Sequence, residues 1–154
     1  MAIERKALTY NKKVIEFPLF KGWRFFDYVD GSNPVEQWYV GELSEDAQFA
    51  FTATLKDIQK VENPQHWLCF KRFLSGQYRK HRIWELWFQC GDKRQYRILG
   101  TFGPERWQVT LLTGCFHKSK VYTPPDALDL AYKRAAALTE GRAQRYERQI
   151  PVDR

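Results

Sequence analysis

The stretch Ile83-Trp84-Glu85-Leu86-Trp87-Phe88-Gln89-Cys90 constrains the fold more than any other. Trp84, Leu86, Phe88 and Cys90 share one parity and are all apolar, while the other parity mixes Ile83 and Trp87 with Glu85 and Gln89. A period of two with one apolar side is a half-buried strand, because successive side chains leave a strand on opposite faces. Gly91-Asp92-Lys93 supplies a turn. Pairing Phe88 with Tyr96 and Leu86 with Ile98 then keeps the apolar parity on one face of a hairpin and sets Trp87 opposite Arg97 on the other. Gly103-Pro104-Glu105-Arg106 makes a second turn, after which Trp107, Val109 and Leu111 join the core parity of a third antiparallel strand.

Helices are expected on either side of this meander. Trp23 to Val29 reads as a first strand ending in the turn cluster Asp30-Gly31-Ser32-Asn33. Asn33-Pro34-Val35-Glu36 combines an N-cap, a proline at the first helical position and an acid at N3, and starts a short helix to about Gly41. Ser44 caps the next, in which Ala47, Phe51, Leu55, Ile58 and Val61 recur every three or four residues to about Glu62. Thr123-Pro124-Pro125-Asp126 opens a last helix to about Thr139, with Ala127, Leu130, Ala131, Ala135 and Leu138 as its stripe and Gly141 as its stop. The expected fold is α+β: an antiparallel sheet of three to four strands against an N-terminal helix pair and a C-terminal helix.

Composition supports one packed domain over residues 1–154. Its 44% hydrophobic and 16% aromatic content is too rich for disorder, and no run nears the roughly 20 apolar residues of a membrane span. The charged start Met1-Ala2-Ile3-Glu4-Arg5-Lys6 lacks the apolar core of a secretory signal, so a cytoplasmic chain is expected. Cys69, Cys90 and Cys115 form neither a CxxC pair nor an even set, and are read as reduced and mostly buried thiols. The net charge of +7 is unevenly placed: residues 1–62 hold eight basic and ten acidic side chains, and the remainder seventeen and eight. Between Glu62 and Glu85 there is no carboxylate, yet Lys71, Arg72, Arg79, Lys80 and Arg82 stand there with His66 and His81. Such a run is either a solvated basic loop or a groove for phosphates.

The ordered set Asp30-Gly31-Ser32-Asn33-Pro34-Val35, Trp84-Glu85-Leu86, Tyr96-Arg97-Ile98-Leu99, Leu111-Leu112-Thr113-Gly114, His117-Lys118 and Thr123-Pro124 resembles the RelE/HigB toxin superfamily, in its HigB-like, phage-related branch. The resemblance covers residues 23–140, leaving an extension at 1–22 and a basic tail at 141–154. It implies the toxin of a type II toxin–antitoxin system, a metal-independent endoribonuclease that cleaves mRNA at the ribosome without a cofactor. It also implies a cognate antitoxin, a helix-turn-helix HigA-like protein, and no membrane partner. RNA cleavage through the 2′-hydroxyl needs cations for the phosphate and a group that moves a proton. No Asp, Glu, His and Cys cluster has metal-ligand spacing, which disfavours a metal nuclease.

By that resemblance Arg97 matches the phosphate-binding arginine. Lys71 and Arg72 match a basic pair before the meander, with Arg79 and Arg82 able to reach the same phosphate path. His117 and Lys118 match a basic pair after the third strand, and Tyr122 a tyrosine before the last helix. His117, Tyr122 or His81 would transfer a proton. The sequence also departs from the pattern: Trp87 stands where the family has an arginine after Glu-Leu, Thr113 where it often has a histidine, and Cys115 is a surplus residue. Trp87 either stacks on a base or packs beneath the N-terminal extension. These departures leave room for a catalytically silent relative that acts by binding RNA or a protein target, as the gyrase-poisoning ParE relatives do. Val14 to Phe20 would add an edge strand, cover the core or dock on an antitoxin, and the basic tail is expected to fray in solvent.

Overall fold

The computed structural model describes residues 5–10 and 13–151, with side chains described from Pro18 to Pro151. Its elements are β1 (Arg5–Tyr10), β2 (Lys13–Pro18), β3 (Arg24–Val29), α1 (Pro34–Glu42), α2 (Glu45–Gln59), β4 (Phe70–Arg72), α3 (Gly76–Lys80), β5 (Ile83–Gln89), β6 (Gln95–Phe102), β7 (Gln108–Lys118), β8 (Val121–Thr123), α4 (Ala127–Thr139) and β9 (Gln144–Arg148). The hairpin register is the one the alternation dictates, with Phe88 opposite Tyr96, Leu86 opposite Ile98 and Trp87 opposite Arg97.

The sheet is larger than three to four strands. Seven strands run in the order β4-β5-β6-β7-β3-β9, with β8 paired to the far half of β7, and β3 runs parallel to β7 so that the sheet is mixed. The additional strands are short or lie in segments with no alternation of their own. β9 comes from the tail expected to fray. It pairs antiparallel with β3, and Arg148 anchors it from the core side: its Nε donates to the buried Asp27 at 2.9 Å and its Nη2 to Glu36 at 2.5 Å. Asp27 also accepts from Asn33 Nδ2 at 2.9 Å, while Asn33 Oδ1 caps α1 by accepting from the Glu36 N–H. In the N-terminal extension β1 and β2 form their own two-stranded sheet, separate from the large one. The apolar side chains at Val14 to Phe17 lie outside the described residues.

Helices cover both faces. On one, Val35 and Trp38 of α1 and Ala47, Phe51, Leu55 and Ile58 of α2 pack on Trp84, Leu86, Phe88, Tyr96, Ile98, Val109 and Leu111. On the other, α4 lays Ala127, Ala131, Ala135 and Leu138 against Ile83, Leu99 and Leu112. Its alanines let the helix approach the sheet closely, since short side chains keep little space between backbones. α4 begins at Ala127 rather than at Pro124, because Thr123 is still in β8 opposite Phe116.

One irregularity sets the site. Leu99 pairs with Thr113 but Gly100 with Leu111, so Leu112 is an extra residue on β7, a β-bulge. Strict alternation from Val109 and Leu111 would carry Cys115 and His117 to the α1–α2 face. The bulge reverses that parity. Gly114 and Phe116 then meet Trp38 on the α1–α2 side, and Cys115 joins the α4 side. The surplus residue read at Cys115 is thus absorbed three positions earlier.

Candidate functional site

On the α4 face, beyond the reach of the helix's alanines, the sheet presents long polar side chains. Glu85 lies opposite Leu99, Arg97 opposite Trp87 and Cys115, His117 opposite Gln95 and Tyr122. Glu85 and Arg97 are diagonal neighbours across one strand pair, as are Arg97 and His117 across the next, a spacing long side chains can bridge.

They do bridge it. Arg97 Nε lies 2.7 Å from Glu85 Oε1, and only 10% and 8% of the two side chains are exposed. Arg97 Nη2 donates to Gln95 Oε1 at 2.9 Å and stands 3.3 Å from His117 Nδ1, while Nη1 donates to the Tyr96 carbonyl at 3.1 Å. The guanidinium therefore joins a carboxylate on one side to an imidazole on the other. The ring of Tyr122 sits 5.1 Å from that of His117, and the Arg97 guanidinium lies 5.7 Å from the Trp87 ring. Burial, with help from the Glu85 charge, raises the Tyr122 phenol above its usual value and keeps it protonated. Burial likewise pushes the Cys115 thiol up to about 12, with Glu85 adding and Arg97 opposing. A cleft of about 560 Å³ opens beside the cluster, lined by Lys93, Arg94, Gln95, Phe116, His117 and Lys118 among others.

Of the residues singled out from sequence, Arg97, His117, Tyr122 and Trp87 come together here. Lys71 lies at the rim: it is exposed, pairs with Glu85 across β4–β5 and so shares the site's face. Lys118 lies next to His117 on the opposite parity; it lines the cleft but does not meet Arg97. Arg79 is exposed on α3, and His81 packs on Tyr132 of α4 at 5.2 Å, apart from the cluster. Arg72 and Arg82 do not join this cluster. Arg72 is level with Trp84, whose parity faces α1 and α2, and both arginines line a different pocket at the other end of the strands. Trp87 is half-buried with Arg97 near its ring; whether the extension covers it lies outside the described side chains.

Glu85 was missing from the sequence-derived set. The signal was present, since it is the one carboxylate between Glu62 and Asp92 and sits in an otherwise apolar strand on the parity of Trp87. Among the described residues no three His, Cys, Asp or Glu side chains are placed to share a metal ion, and no helix is long and apolar enough to cross a membrane.

Residues 39–136, well over half of the chain, match the family described as Phage derived protein Gp49-like (DUF891). No curated protein and no solved structure matches it.

Proposed function

The chain belongs to the phage-derived Gp49-like family, a RelE/toxin-like family, and on that premise we propose that it is the toxin of a type II toxin–antitoxin pair, an endoribonuclease that cuts mRNA at the ribosome without a metal. One observation carries the proposal: the Arg97 guanidinium is held between Glu85 and His117, a cation flanked by two groups able to exchange protons. Residues 39–136 take in Glu85, Trp87, Arg97, His117 and Tyr122. The neighbouring cleft carries Lys93, Arg94 and Lys118, the charge a ribose-phosphate chain requires.

In this mechanism the Glu85 carboxylate takes the proton of the 2′-hydroxyl. The 2′-oxygen attacks phosphorus, the bond to the 5′-oxygen breaks, and His117 delivers a proton to that leaving oxygen from Nε2, the ring nitrogen not facing Arg97. The products are a 2′,3′-cyclic phosphate and a 5′-hydroxyl. In the resting site Glu85 neutralises Arg97. Protonation of Glu85 releases the arginine charge just as negative charge builds on the phosphoryl oxygens, and stabilisation confined to the transition state is what accelerates a reaction. Tyr122, kept protonated, donates a hydrogen bond to the same oxygens.

Induced expression in bacteria tests this, with Glu85→Gln, His117→Ala and Arg97→Ala beside the parent. Growth arrest with cleaved messages ending in a cyclic phosphate is expected from the parent. Loss of the general base or acid typically costs on the order of 10²–10⁴ in rate. Arg97→Ala cutting as fast as the parent would overturn the assignment. A second reading, action by binding alone, is favoured by the engagement of Arg97 with four internal partners. It predicts arrest with intact RNA.

A further inference from the structure

At the opposite end of β5–β7 a second basic pocket of about 460 Å³ collects Arg72 from β4, Arg82 from the residue before β5 and Arg106 from the β6–β7 turn. From Arg97 to Phe102 along β6 is five residues, roughly 17 Å at strand rise, so one phosphate cannot touch both sites. The guanidiniums are laid on aromatic rings: Arg72 is 5.1 Å from the Phe102 centroid and Arg106 is 4.4 Å from that of Trp107. Arg82 Nη2 would lie 3.4 Å from a Cβ at Gly103. Glu62 and Glu105 share the lining, but among the described residues none of the three arginines forms an ion pair, and Glu105 also acts on Arg24.

The backbone around this pocket is strained at two residues, Arg82 and Trp107, while Gly103 takes its positive φ as glycine does freely. Arg82 has φ 53, Trp107 φ 61 and Gly103 φ 98, and a left-handed conformation at a bulky residue persists only where the surroundings enforce it. Arg82 is fixed by its N–H to the Arg79 carbonyl at 3.0 Å, and Trp107 by its carbonyl to the Arg24 N–H at 2.9 Å. Both conformations hold an arginine in the lining, Arg82 itself and Arg106 beside Trp107. Guanidiniums pre-placed on rings, with forks that match two phosphate oxygens, form a receptor for a phosphodiester.

We propose that this pocket is a second RNA-phosphate site, separate from the Arg97 cluster, that grips the RNA backbone while the cluster acts on it. It rests on the RNA-directed reading above. The test is the salt dependence of binding to a fluorescent 2′-O-methyl RNA of about a dozen nucleotides, which cannot be cleaved through its 2′-position. Arg72→Ala/Arg106→Ala is compared with Lys133→Ala/Arg142→Ala, which removes the same charge elsewhere. Each lost contact to single-stranded RNA lowers the slope of log K against log salt by about 0.7. A fall of about 1.4 is expected for the first pair, no change for the second, and about 0.7 for Arg82→Gln alone. An unchanged slope in the Arg72/Arg106 pair overturns the second site and leaves the role of Arg97 standing. Failure of the parent to bind RNA overturns both. Displacement of the RNA by micromolar AMP would assign the pocket to free nucleotides and overturn the proposal equally.

Discussion

Glu85→Gln removes one charge and almost no volume from a site that holds Arg97 at 2.7 Å, with about a tenth or less of either side chain exposed. An ion pair in water is worth about 0–1 kcal/mol, but stripping one partner from a buried pair costs about 3–5 kcal/mol, because the remaining charge has lost its compensation and cannot reach solvent. Arg97 would keep Gln95 Oε1, the Tyr96 carbonyl and His117, and the new amide still offers an oxygen to Nε, so the lower end, about 3 kcal/mol, applies. For a chain of this length that is a fall in Tm of about 6–12 °C. Urea unfolding of parent and variant measures it, the slope m being required to stay constant. Glu85→Leu combined with Arg97→Met supplies the control: with both charges gone and shape roughly kept, most of the loss should be recovered. A Glu85→Gln cost under about 1 kcal/mol would mean that water screens the pair, and would refute the dry, pre-neutralised site on which the proposed mechanism depends.

Two further outcomes follow from the packing. A Cβ at Gly114 would stand 2.1 Å from Trp38 Cδ2, an indole locked among Phe51, Phe88 and Phe116, so Gly114→Ala should cost about 1–3 kcal/mol or more in urea unfolding; an unchanged midpoint would show that α1 can lift from the sheet. The thiols should separate by alkylation at pH 8. Exposed Cys69 reacts, whereas Cys115, buried and pushed up to about 12, stays protonated and unlabelled until denaturant is added, and equal labelling of the two in the native protein would contradict its burial.

What could be read in advance follows the range of the interactions. The β5–β6 register rests on alternating residues joined by a short turn, so side-chain parity alone fixes Trp87 against Arg97. Asn33 and Ser44 act as caps through bonds spanning three residues, and the apolar stripe of α2 lies within a single helix. The tail gave no such sign. β9 exists because β3, more than a hundred residues earlier, leaves an open edge and a buried Asp27 for Arg148 to neutralise. The grouping of basic residues was legible only as composition. Arg72 follows Lys71 directly, yet adjacent strand residues point to opposite faces, and this sends them to different sites.

By itself the sequence determined the local elements, the hairpin register and the supply of basic and proton-exchanging side chains, because caps, turns and alternation act between near neighbours. The tertiary structure decided which of those residues meet. A single extra residue at Leu112 reverses the parity of β7 and turns His117 toward Arg97, and the diagonal across β5 and β6 brings in Glu85. Both depend on how separate strands align, and no window of sequence contains that alignment.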